Sequence, residues 1–197
     1  MTAHAPANRS ANSILPDVLL VLFLIGLDVA ARLLLHTWNV SPVAASALFA
    51  GLMLRRRWLA LLVPLAALAL SDAVIGFDDW RMASVVYAAL ALPAVAGILG
   101  RRYGTSRVVV PAALTCSLIF FAATNLAVWA FSGMYSLDLA GLTQCYTLAL
   151  PFLKYTVAGD LFWCAVLFGG AWLVQRLTAR GAIAGAATTA GGTSGAL

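Results

Sequence analysis

Residues 40–57 read VSPVAASALFAGLMLRRR: a proline near the start, a run of small and apolar residues, then three arginines in succession. Crossing a hydrocarbon core of about 30 Å takes about 17–25 apolar residues, so this run is short for a span. Its neighbours decide how to read it. Longer apolar runs occupy roughly 16–35, 58–76, 82–100, 107–131 and 156–177. Arg55, Arg56 and Arg57 follow the short run, Arg101, Arg102 and Arg107 follow 82–100, and Arg176 and Arg180 follow 156–177. With Arg9, nine of the twelve basic residues fall on one side if, and only if, residues 40–54 also cross. Lys and Arg stay on the cytoplasmic side, so the pattern predicts six crossings with both termini cytoplasmic.

Composition agrees. The 197 residues are 63% hydrophobic and only 10% charged, with a mean hydropathy of +0.96. A soluble domain carries about 25% charged residues, and a disordered chain has far less apolar surface. Every acid is Asp, and the net charge of +5 comes from arginines gathered between apolar runs. That placement points to the bilayer rather than to nucleic acid as the partner.

The predicted organisation is a flexible N-terminus over 1–15, a transmembrane domain over 16–177, and a flexible Gly/Ala-rich tail over 178–197. One stretch stands outside the count. Residues 136–155 are too apolar for a loop and too short to cross and return. With Gly141, Gln144, Tyr146 and Pro151 they read as a short half-helix on the outer face, between the fifth and sixth crossings. Irregular backbone at that depth needs protein or a water-filled cavity over it.

Intramembrane polar groups cost roughly 2.5–3.5 kcal/mol each on insertion scales, so their placement carries information. In the predicted orientation Asp28, Arg32, Asp72, Asn125 and Asp160 all occupy the outer halves of their helices. Trp38, Asp79, Trp80 and Lys154 sit in the loops above them, and Tyr146 in the half-helix. The asymmetry describes an apolar pocket with a few polar groups, open to the extracytoplasmic side. Plainer roles exist for each. Asp28 and Arg32, one turn apart, can neutralise each other; Asn125 can join helices. Lys154 can pair with Asp160, and the tryptophans can form an interfacial belt.

Signs of catalysis are missing. Cys116, Cys145 and Cys164 are far apart, and His4 and His36 build no familiar zinc spacing with them. There is no Gly-x-Ser-x-Gly elbow and no phosphate-binding loop. The sequence predicts a protein that is not an enzyme, with no cofactor and no metal.

The order of features resembles a known group. Asn39-Val40-Ser41-Pro42, Ala47-Leu48-Phe49-Ala50-Gly51, Ser71-Asp72, Thr124-Asn125-Leu126-Ala127-Val128-Trp129, Cys145-Tyr146, Leu150-Pro151-Phe152 and Gly159-Asp160-Leu161 follow one another in that order. This resembles an uncharacterised family of small bacterial membrane proteins described only as transport proteins. More distantly, the six-helix plan is similar to the S components of energy-coupling-factor (ECF) vitamin transporters. That resemblance implies an all-α integral membrane fold in the bacterial inner membrane that captures a vitamin-like small molecule from outside. It implies Trp38, Asp72, Asp79, Trp80, Asn125, Tyr146, Lys154 and Asp160 as substrate contacts. It also implies a partner, a transmembrane coupling subunit with ATPases, docked on small residues of the first helix, here Gly26 and Ala30. The loop 76–81 has no Cys, unlike S components that ligate cobalt through one. The competing expectation is a structural or assembly membrane protein whose polar groups only hold helices together.

Overall fold

The computed structural model describes residues 14–34, 40–76 and 79–191, with side-chain surroundings as far as residue 180. Described residues form six α-helices and no strand: α1 Leu15–Leu34, α2 Val43–Met53, α3 Arg57–Ile75, α4 Trp80–Gly100, α5 Thr105–Phe131 and α6 Leu139–Gly191. A single 3-10 turn, Arg101–Tyr103, joins α4 to α5. Helices α3 to α6 are long and apolar enough to cross a membrane. The outward faces carry large apolar side chains such as Leu22, Phe23, Leu99, Leu118, Phe162 and Leu173. A surface this apolar is built for lipid.

Two corrections to the expected plan stand out. The second segment is helical only over Val43–Met53, and α2 rises about 16 Å, half a hydrocarbon core. The expected half-helix is not a separate element. The chain is helical from Leu139 without interruption, and Pro151 lies inside α6. In lipid-exposed helices a proline is tolerated because neighbouring groups take up the freed carbonyl.

Contacts between helix ends reveal the topology. At the start of α1, Asp17 accepts hydrogen bonds from the Arg55 and Arg56 backbone N–H groups, at 3.4 and 3.1 Å. Near its end, Arg32 meets Ser71 and Asp72 near the end of α3. Helices α1 and α3 therefore run parallel, and the chain between them returns over the full height of α1. Helix α2 covers about 16 Å of that return, and extended residues such as Leu54 and Arg56 add about 3.3 Å each. A short helix followed by extended chain thus covers most of the return.

Such a helix must be covered on all sides, and α2 is. It packs against all five other helices, and every residue from Ala45 to Leu52 is buried. Its small side chains allow this. At the crossing with α4 the backbones nearly touch: a Cβ on Gly51 would lie 2.4 Å from the Ala94 carbonyl oxygen, and one on Gly97 would lie 2.6 Å from that of Leu48. Beyond that crossing the Arg101 guanidinium hydrogen-bonds the Gly51 carbonyl at 2.7 Å and also that of Leu54. The arginine clusters at 55–57 and 101–107 thus share one end of the bundle with the beginning of α1. We call it the basic end.

Candidate functional site

Polar side chains placed away from the basic end come together in pairs. Arg32 donates through Nε to Ser71 Oγ at 2.6 Å and through Nη2 to Asp72 Oδ1 at 2.5 Å. Ser71 passes its own hydrogen to the Ala67 carbonyl at 2.8 Å, and Tyr87 of α4 lies against Asp72. The sequence offered Asp28 as the partner of Arg32, one turn away. Asp28 instead faces α2, fully buried, and accepts from Ser46 Oγ at 2.8 Å. The α1–α3 ion pair forms because parallel helices hold Arg32 and Asp72 at the same height.

Asp160 is the buried acid of α6, only 7% exposed. Its Oδ2 accepts from Ser117 Oγ of α5 at 2.6 Å, and it makes no ion pair with Lys154 among the described residues. Thr156, Asp160 and Cys164 repeat at four-residue spacing and form the buried stripe of this part of α6. Helices α5 and α6 also meet at Tyr146, whose hydroxyl donates to the Ala122 carbonyl at 2.6 Å. From Ser117 to Ala122 is about 7.5 Å of helix, whereas Tyr146 to Asp160 is about 21 Å. Residues of both helices line open space between these two contacts, so the helices stand apart there.

Two adjoining cavities occupy the space so created. One, of about 320 Å³, is lined by Arg32, Ser41, Ala89, Pro93, Phe120, Thr156 and Asp160 among others. The second, of about 270 Å³, is lined by Asn125, Val128, Ala149 and Phe152, and shares Val86, Phe120 and Thr156 with the first. A third hollow, about 540 Å³, is a shallow apolar groove on the side of α4 and α5 near Arg102 and Arg107. Of the three, the first is the one with a buried carboxylate in its wall.

Among the residues expected to bind substrate, Asp160 and Asn125 line these cavities, one in each. Asn125 already donates to the Phe121 carbonyl of its own helix at 2.8 Å. Asp72 contributes through Arg32. The others lie elsewhere. Asp79 caps α4 by accepting from the Arg81 N–H at 2.8 Å, and the Arg81 guanidinium holds its carboxyl below the usual carboxylate range. Arg81 also lies over the Phe131 ring at 4.8 Å, tying the start of α4 to the end of α5. Trp80 is 70% exposed, Lys154 lies over the Tyr155 ring at 4.9 Å, and Tyr146 anchors α6 to α5. Trp38 lies outside the described residues. Gly26 and Ala30 sit on the exposed face of α1, with open space around Gly26.

Sequence reasoning counted Arg32 among the outer polar groups without naming it as a substrate contact, and did not put forward Ser41, Ala89 or Thr156. Thr156 was legible, because it stands one turn before Asp160 on the same face. Ala89 and Ser41 carried no signal, since a small residue lines a cavity only by virtue of what its neighbours leave open. Among the described residues no three His, Cys, Asp or Glu side chains gather as a metal site.

Neither a curated protein nor a solved structure matches the chain. A family model does, over residues 12–182, which takes in all the helices described up to the second half of α6. The chain belongs to this family of unknown function, DUF6580.

Proposed function

We propose that this protein is the substrate-capturing membrane component of a small-molecule uptake system, multi-pass in the bacterial inner membrane with both termini cytoplasmic. The observation that carries the reading is the cavity between α1, α4, α5 and α6, which has a buried carboxylate, Asp160, in a wall of mixed apolar and polar side chains. Its volume, continued by that of the adjoining cavity, is in the range of small-molecule sites. The cavity lies on the far side of the Gly51–Gly97 crossing from the basic end, which the positive-inside rule assigns to the cytoplasm. The return of the chain through α2 supports six crossings despite the helix's length. A vitamin-like ligand, and a coupling subunit with ATPases docked on Gly26 and Ala30, follow from the likeness to ECF S components. The exposed, unobstructed face of α1 is compatible with such docking.

Native mass spectrometry of the protein purified from its own host, with extraction of bound metabolites, tests the reading. A stoichiometric small molecule that is lost in Asp160→Ala and Asn125→Ala, with both variants remaining monodisperse, is the expected result. The alternative, a structural or assembly role, gains if the preparation carries a stable membrane partner and no metabolite, and if those two variants chiefly damage folding.

A further inference from the structure

The larger polar cavity is rich in acceptors whose donors are missing. Asp160 is nine-tenths buried; Ser117 reaches only Oδ2, with a hydroxyl hydrogen that it shares with the Ala113 carbonyl at 2.8 Å, and among the described residues no donor reaches Oδ1. Ala89 and Pro93 line the same space. Pro93 has no N–H, so the Ala89 carbonyl one turn earlier lacks its helical donor.

Of the donors on the wall, Arg32 and Thr156 are engaged with protein partners, and the Ser41 hydroxyl carries no charge. The charge of Arg32 is matched by Asp72, and its Nε is held by Ser71. Thr156 gives its hydroxyl hydrogen to the Phe152 carbonyl at 3.1 Å. Around Asp160 the side chains from the packed helices are Ser117 and Cys116 of α5 and Cys164 of its own helix, none of them a cation. A buried carboxylate left uncompensated is costly, and a positively charged N–H donor is the group that offsets that cost most directly.

We infer that the ligand of this cavity is a small organic cation: a compact apolar body bearing a protonated amine, seated on Asp160 with the Ala89 carbonyl as second acceptor. The body packs against Phe120, Val86 and Leu90, which line the same cavity. A larger molecule continues past the shared Phe120 and Thr156 toward Asn125. An anionic ligand finds no spare positive charge there. This assignment rests on the capture reading and narrows its substrate class.

A pair of thiol reagents of equal size and opposite charge tests it without a known ligand. Cys116 lines the same cavity, so Ser41→Cys is made in a Cys116→Ala background, which supplies the control and leaves only the buried Cys145 and Cys164 as native thiols. The probes are trimethylammonium-ethyl and sulfonatoethyl methanethiosulfonate, with rates normalised to those for 2-mercaptoethanol. The cationic reagent is expected to react about tenfold faster, the size of effect one carboxylate exerts at short range in a partly shielded site. Adding Asp160→Asn is expected to bring the ratio to within about twofold of unity. Thr156→Cys repeats the measurement should Ser41→Cys fail to purify as a folded protein.

A ratio at or below one, or a ratio that survives Asp160→Asn, overturns the assignment. If the anionic reagent is the faster, the cavity is reachable and the capture reading stands while the ligand class falls. If neither reagent modifies the introduced thiol at either position, the cavity is closed to solutes and both readings fall together.

Discussion

Arg32 on α1 and Asp72 on α3, forty positions apart, form an ion pair at 2.5 Å, with Ser71 accepting from the guanidinium Nε beside it. Together with Asp17 at the opposite end of α1, this pair makes two helices parallel and requires the chain between them to double back. One ionic contact thus reports the topology of the first third of the protein.

The first prediction concerns that pair. Its side chains are 22% and 11% exposed, so removing one partner leaves a poorly solvated charge. Asp72→Ala is expected to destabilise the protein by about 3–5 kcal/mol in denaturant unfolding in detergent. The double variant Arg32→Met with Asp72→Leu should recover most of that loss. Additive losses in the double variant would show that the two groups do not act as a pair.

Backbone proximity makes the second. Gly97→Ala drives a methyl against the Leu48 carbonyl and Gly51, and neither backbone can yield without moving α2. A large fall in melting temperature is expected. Gly26→Ala meets nothing within 4 Å, on the exposed face of α1. That substitution should stabilise by up to about 1 kcal/mol through helix propensity alone. Similar melting temperatures for the two variants would contradict the close α2–α4 crossing.

Ser117 supplies the third. Ser117→Ala removes the one hydrogen-bond donor that reaches Asp160 among the described residues and is expected to cost about 1–3 kcal/mol. The same change at Ser132, whose hydroxyl serves only the backbone N–H of Met134 in an exposed turn, should cost within about 0.5 kcal/mol. Equal effects from the two would remove Ser117 as the partner of the buried acid.

A pH dependence follows at the start of α6. The Asp138 carboxylate accepts from the Gly141 N–H at 2.7 Å and from the Ser136 hydroxyl at 2.8 Å. These bonds, the backbone one first, lower its pKa below the ordinary 3.8. A carboxylate whose folded pKa is depressed stabilises fully above the unfolded value and loses that contribution as pH falls through the folded one. Amide exchange at Gly141, corrected for intrinsic rates, should therefore be flat above about pH 5 and lose protection in more acid solution. Asp138→Asn keeps an acceptor without the charge and should abolish the change. Unaltered protection down to pH 2 would show that the cap does not hold α6.

Much of the fold was legible in the sequence, because hydropathy and arginine placement report the solvent each residue will meet. Helices α1, α3, α4 and α5 begin and end within three positions of the apolar runs that predicted them. What pattern alone misjudged was partnership. Asp28 stands one turn from Arg32, yet its carboxyl turns to Ser46, since the two side chains leave α1 toward different neighbours. The half-helix over 136–155 was misjudged because Pro151 reads as a breaker in water, whereas α6 continues through it.

The cavity shows the division most plainly. The linear chain by itself determined which segments are apolar, where the arginines stop, and that Asp72, Asn125 and Asp160 fall away from them. Those properties depend on local composition and its match to a bilayer. Only tertiary structure decided that Asp160 keeps an oxygen with no donor among the described residues, in a cavity that Ala89 also lines, while Asp72 spends its charge on Arg32. The reason is geometric. Which acid is neutralised and which is left to face a cavity depends on helix heights and on where α5 and α6 part, and these are set by contacts between residues distant in the chain.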